Sequence, residues 1–183
     1  MRLSLIISVY FCISLSAHAA VYKFGPEMGK LSFLAKGRPA LISIKGEGEG
    51  VSGQLTEADQ TLNGRLVFNL DSLKTGIDLR DEHMKKRYLE TEKFKDAFLQ
   101  VDKVLVPKEI KELNFSAVLT LHGIEQRVPI KATVTGAGVD RKMEAEFSVK
   151  LSEFKIEIPN FQGITVAEDV AIKFVAPIQE ITQ

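Results

Sequence analysis

Apolar and polar residues alternate along most of this chain, and that regularity restricts what it can fold into more than any motif does. Successive side chains of a strand point to opposite faces, so a half-buried strand must alternate with period two. Leu62, Gly64, Leu66, Phe68 and Leu70 share one parity, while Asn63, Arg65 and Asn69 fill most of the other. Leu113, Phe115, Ala117, Leu119 and Leu121 repeat the pattern, as do Val128, Ile130, Ala132 and Val134, then Ala145, Phe147, Val149 and Leu151. Val170, Ile172 and Phe174 supply a closing strand, and weaker alternation marks residues 21–24, 30–36, 41–45, 51–56 and 98–106. Turn signals separate these runs at residues 36–39, among the glycines from Gly46 to Gly53, at Asn63-Gly64, at His122-Gly123 and at residues 136–138. Short strands at this spacing predict an all-β sandwich or barrel. Residues 78–90 lack the alternation; Asp78 and Asp81 come early and Lys85, Lys86 and Arg87 late, which suits one short helix whose dipole those charges complement.

The amino terminus is of another kind. Arg2 precedes an uncharged apolar run over residues 3–15 and then Ala17-His18-Ala19, the form of a secretory signal peptide over residues 1–19. A spanning helix would need about 20 apolar residues and no cleavage signature. Cys12 lies inside the run, so the expected mature domain, residues 20–183, has no cysteine and must be stable without a disulfide. Without Arg2, 23 basic residues face 24 acidic ones, both signs scattered, which excludes a general electrostatic case for nucleic acid. There is no internal repeat, low-complexity tract or linker, and a single domain is expected.

A barrel of about eight strands is just wide enough to be filled by side chains or to hold one small ligand, and alternation alone does not choose. A membrane barrel would alternate too, but with aromatic girdles that three tyrosines and no tryptophan do not supply. Gly48-Glu49-Gly50-Val51-Ser52-Gly53 has the spacing of a dinucleotide fingerprint, yet an alternating segment follows it where a helix is required, and Glu47 and Glu49 would repel phosphate. With two mature histidines, His83 and His122, a metal centre would need carboxylates, and Asp81 diverges from His83 on a helix; no metal is expected. No Gly-x-Ser-x-Gly elbow accompanies the serines, so His83 stands either as a general acid or base or as a hydrogen-bonded structural residue. Asn114-Phe115-Ser116 has the form of a glycosylation acceptor but sits in an alternating run rather than a loop. Lys85-Lys86-Arg87 reads either as a solvated helix end or as a contact for an anionic headgroup.

Ser72-Leu73-Lys74-Thr75-Gly76, followed by Arg80-Asp81-Glu82-His83-Met84, resembles the signature of the YceI-like family of bacterial lipid- or polyisoprenoid-binding proteins. Tyr88-Leu89 with Phe94, Leu119 to Gly123, and Val128-Pro129-Ile130 resemble further stretches of that family, so the similarity spans nearly the whole mature chain. This chain departs from the family pattern where a histidine often stands near residues 28–33, where a threonine often follows Gly123, and where a proline often precedes Leu99. The resemblance implies an extended, lipocalin-like antiparallel barrel around an apolar tunnel that takes an isoprenoid, a quinone or another long-chain lipid. It also implies a periplasmic, non-enzymatic carrier or store.

Taken with the parity, it places Phe33, Ile44, Phe68, Phe115, Leu119, Phe147 and Phe174 inward, with Ile77, Met84 and Tyr88 from the helix near one opening. Arg80 and His83 are the headgroup candidates, Arg80 being read with Asp81 first as an ion pair or cap at the helix entrance. Two other readings stay open, a lipid-modifying enzyme using His83 and a closed-core scaffold. No cofactor is expected, and a homodimer is neither required nor excluded.

Overall fold

The structure is a computed structural model and describes residues 19–38, 42–107, 111–161 and 163–181. Residues 1–18 of the expected leader lie outside it, as do residue 39 of the turn expected at 36–39 and residue 41 of the strand expected at 41–45.

The strands run in chain order as β1 (Ala20–Phe24), β2 (Lys30–Arg38), β3 (Ser43–Glu49), β4 (Val51–Ala58) and β5 (Thr61–Asn69). After the helix α1 (Asp78–His83) come β6 (Asp96–Leu105), β7 (Glu112–Leu121), β8 (Ile124–Thr135), β9 (Lys142–Lys150), β10 (Asn160–Phe161), β11 (Ile164–Pro177) and β12 (Glu180–Ile181). They form one antiparallel sheet ordered β12-β1-β4-β5-β6-β7-β8-β9-β11-β2-β3, with β10 paired to β11 outside that path. The sheet curls into a lipocalin-like half-barrel, as the alternation predicts, with twelve strands among the described residues rather than about eight; β10 and β12 are only two residues long. The register lines large apolar residues in rows: Phe33 lies opposite Ile172, Ile172 opposite Phe147, and Phe115 opposite Ile130. The apolar parity faces the interior and the charged parity faces out, the reverse of a membrane barrel.

Two turn expectations fail for physical reasons. Gly46 and Gly48 lie within β3 and do not end it. Gly46 is directly opposite Phe33, whose ring lies across it: a Cβ there would come within 2.3 Å of the ring and 2.9 Å of the Lys74 carbonyl. The glycines give room to rings of other strands, Phe33 of β2 at Gly46 and Phe68 of β5 at Gly48, and only Gly50 separates β3 from β4. Asn63-Gly64 likewise lies inside β5, where the pairing with β6 shifts register between Leu62 and Gly64 and the Asn63 side chain accepts from the Lys103 amide at 2.8 Å. The β4–β5 hairpin turns instead at Asp59-Gln60, both with φ near +50°, a conformation Asp tolerates better than most side chains. His122-Gly123 turns β7 into β8 as expected.

An open sheet leaves edges, and β3 is one of them. There the backbone of Lys74 pairs with Glu47 in both directions, at 2.9 Å from the Glu47 amide and 2.8 Å to its carbonyl. The helix is shorter than the expected 78–90: α1 ends at His83, and wider π-type turns carry the chain through Met84–Tyr88. Glu90, at φ +45°, ends the helical run.

Candidate functional site

The inward parity encloses a cavity of about 520 Å³, within the range of about 300–1,000 Å³ usual for small-molecule sites. All ten residues expected to face a ligand border it: Phe33, Ile44, Phe68, Phe115, Leu119, Phe147 and Phe174 from the strands, and Ile77, Met84 and Tyr88 from the helical segment. They differ in burial. Phe68, Leu119 and Phe174 are buried core, whereas Phe33, Ile44, Phe115 and Phe147 are half-buried although their strand positions face inward. A half-buried ring on the inner face of a curled sheet borders volume that no other side chain fills.

The polar side chains at this wall, among the described residues, are Thr75, Arg80, His83 and Tyr88, all from one stretch of fourteen residues. The apolar remainder offers water few partners, so the space favours an apolar occupant with its polar part at the helical segment.

Of the ion pair or cap expected of Arg80 and Asp81, the structure has no direct pair; Thr75 stands between, and Asp81 accepts an amide just ahead of α1. The Thr75 hydroxyl donates to Asp81 Oδ1, and so does its amide, at 2.7 Å. Arg80 Nε donates back to the Thr75 hydroxyl at 2.7 Å, and Nη2 to the Thr75 carbonyl at 3.0 Å. Burial alone would raise the Asp81 pKa, but the Thr75 hydroxyl and amide, then Lys85 and Arg80, hold the carboxyl below its usual range. The arrangement fixes Arg80 at the cavity wall while using two of the five guanidinium N–H groups.

The far side of the helical segment is held by residues that parity could not reveal. Glu90 Oε2 meets His122 Nε2 at 2.9 Å, His122 Nδ1 meets the Phe154 carbonyl at 3.1 Å, and the Phe94 ring packs 4.4 Å from the imidazole. Thr91 is buried with its amide on the Lys85 carbonyl at 2.9 Å. Lys93 first, then His122, lowers the Glu90 pKa. Of the basic run, Lys86 pairs with Glu82 and Arg87 with Glu157 in exposed ion pairs, and neither appears among the cavity-lining residues.

Sequence reasoning also missed Ile42, Leu79 and Ile156 at the cavity wall. Leu79 carried a signal, being one of two apolar side chains at the start of an otherwise charged helix. Among the described residues there is no cluster of three or more His, Cys, Asp or Glu placed to hold a metal, and no helix is long and apolar enough to cross a membrane.

Residues 22–177 match the sequence model of the YceI-like domain. Among solved structures, the Burkholderia cenocepacia protein BcnA is similar at TM-score 0.67 and 19% identity, over 81% of this chain and 96% of that one. A polyisoprenoid-binding domain from Saccharophagus degradans, implicated in plant cell wall breakdown, is similar at TM-score 0.65 and 17% identity, over 89% and 98%. The YceI protein of Campylobacter jejuni follows at 0.59 and 15%, over 78% and 86%. None of the curated proteins matches the sequence.

Proposed function

The chain belongs to the YceI-like family, and from that premise we propose that it is a non-enzymatic periplasmic carrier that holds an isoprenoid, quinone or similar amphiphile in its half-barrel. One observation carries the reading: an apolar cavity of about 520 Å³ whose polar side chains are gathered on a single segment. The hydrocarbon lies against the inward rows of strand residues, where its burial contributes about 0.8 kcal/mol per methylene. The headgroup lies against Arg80, whose remaining N–H groups suit an oxygen-bearing anion or carbonyl, with His83 and Tyr88 beside it. The polyisoprenoid-binding domain among the similar structures supports this choice of ligand, and the leader expected at residues 1–19 supports export.

Organic extraction of protein purified from its own host, with mass spectrometry of the extract, is the test. A stoichiometric isoprenoid-type lipid is expected, and Phe115→Asp, which puts a charge on the cavity wall, is expected to abolish its retention without unfolding the sheet. A folded protein that yields no lipid and rejects added polyprenyl lipids would overturn the reading. Turnover of a bound lipid that disappears in His83→Ala would replace the carrier with an enzyme.

A further inference from the structure

Three residues belong to the cavity and to the surface at once. Ile42, Ile77 and Leu79 line the cavity yet are 38%, 53% and 54% exposed, which makes them its mouth. Ile158, 36% exposed, adjoins Pro159, another lining residue. Ile164 lies beside Ile42, since a Cβ on Gly37 would meet both, at 3.1 and 3.2 Å. The remaining large exposed apolar side chain among the described residues, Leu105, is at the other end of β6 from the pairing of Asn69 with Asp96 that leads into the helical segment. Large apolar side chains are exposed here in a group, which on a soluble surface marks a docking site.

The β2–β3 hairpin beside them is basic. Residues 31–46 contain Lys36, Arg38 and Lys45 and no acidic residue, and all three cations are exposed on the parity opposite Ala35 and Ile44. Exposed Lys74 adds a fourth across the β3 edge, while the acidic residues stand apart from this hairpin face: Glu47 and Glu49 further along β3, Asp78, Asp81 and Glu82 on α1, and Glu168 and Asp169 in the β11 bulge opposite Lys36. Apolar tips flanked by lysine and arginine match the boundary between acyl chains and phosphates.

Resting on the carrier reading, we propose that this mouth docks onto an anionic bilayer surface. Ile42, Ile77 and Leu79 enter the headgroup layer, and Lys36, Arg38 and Lys45 meet lipid phosphates. A cargo that water will not dissolve then passes between bilayer and cavity without leaving apolar surroundings.

Co-flotation with vesicles tests this. The protein is expected to float with vesicles of phosphatidylethanolamine and phosphatidylglycerol, to be released by raised salt, and to ignore phosphatidylcholine vesicles. Combined Lys36→Gln, Arg38→Gln and Lys45→Gln substitutions should weaken vesicle binding about a hundredfold, because each cation near such a surface contributes about a factor of five. Uptake of a polyprenyl lipid supplied in detergent should be unchanged in that variant. Leu79→Asp should abolish flotation and Leu105→Asp should leave it intact. Protein that takes up lipid from detergent but never floats would overturn the docking face and spare the carrier, its cargo then being handed over by another protein. Equal damage from Leu105→Asp and Leu79→Asp would also overturn it. Protein that floats with these variant effects but holds no lipid would uphold the docking face and overturn the carrier.

Discussion

The two ends of the segment between β5 and β6 are held in different ways. At the carboxyl end, Glu90 and Phe94 are fastened to the β7–β8 hairpin and to fully buried Phe154 through His122, and buried Thr91 ties back to the Lys85 carbonyl. At the amino end, α1 contributes no buried residue, Ile77 and Leu79 stand more than half exposed, and the entrance is organised around Thr75. The difference separates two tasks that one stiff lid would merge. The carboxyl end holds Met84 and Tyr88 over the cavity by buried contacts, and the amino end holds the mouth by polar ones.

The strongest way to break that contrast is at His122. His122→Ala removes the partner of both the Glu90 carboxylate and the Phe154 carbonyl, and is expected to lower unfolding free energy by about 1–3 kcal/mol in denaturant titrations. An unchanged midpoint would mean that the clamp does not matter to the fold. A smaller and more local effect is expected from Thr75→Val. Loss of its hydroxyl should cost about 0.5–1.5 kcal/mol and show as faster amide exchange over residues 76–82 rather than as loss of the whole sheet. Uniform acceleration through the strands would show that both ends belong to one cooperative unit.

Acid should act on the two ends in different windows. Both carboxyls are depressed in the folded state, so each contributes stability that is complete above its ordinary value and is lost as pH falls through the lowered one. For Glu90 that loss begins below about 4.5, and for Asp81 below about 3.8. Carboxyl NMR titration should find both midpoints below these values. In His122→Ala the Glu90 midpoint should move part of the way back, Lys93 remaining, while that of Asp81 stays in place. A joint movement would again join the ends.

Strand parity made the half-barrel and its inner wall legible, because burial on one face writes itself into every second residue. The cavity itself was less so: half-buried Phe115 and buried Phe68 follow the same alternation. Gly46 reads as a turn because its cause is a ring on another strand, thirteen residues earlier. Asp59-Gln60 lacks the glycine that usually announces its conformation. Thr75 could not be read as the link between Arg80 and Asp81, since adjacent opposite charges suggest a pair by themselves. Ile77 was expected near an opening, but its neighbours in the mouth, Ile42 and Leu79, escaped because they are exposed, whereas sequence reasoning sends apolar residues inward.

The doubled backbone pairing of Glu47 with Lys74 bears on how the protein behaves in a crowd. A curled sheet without a closed seam offers its margin to any passing strand, and that margin is where runaway fibre growth begins. Lys74 occupies the middle of that margin, and the exposed Lys45, Glu47 and Glu49 place charge along the rest. The sheet can therefore stay open at this margin while presenting a covering strand and charge, rather than bare backbone, to its own copies.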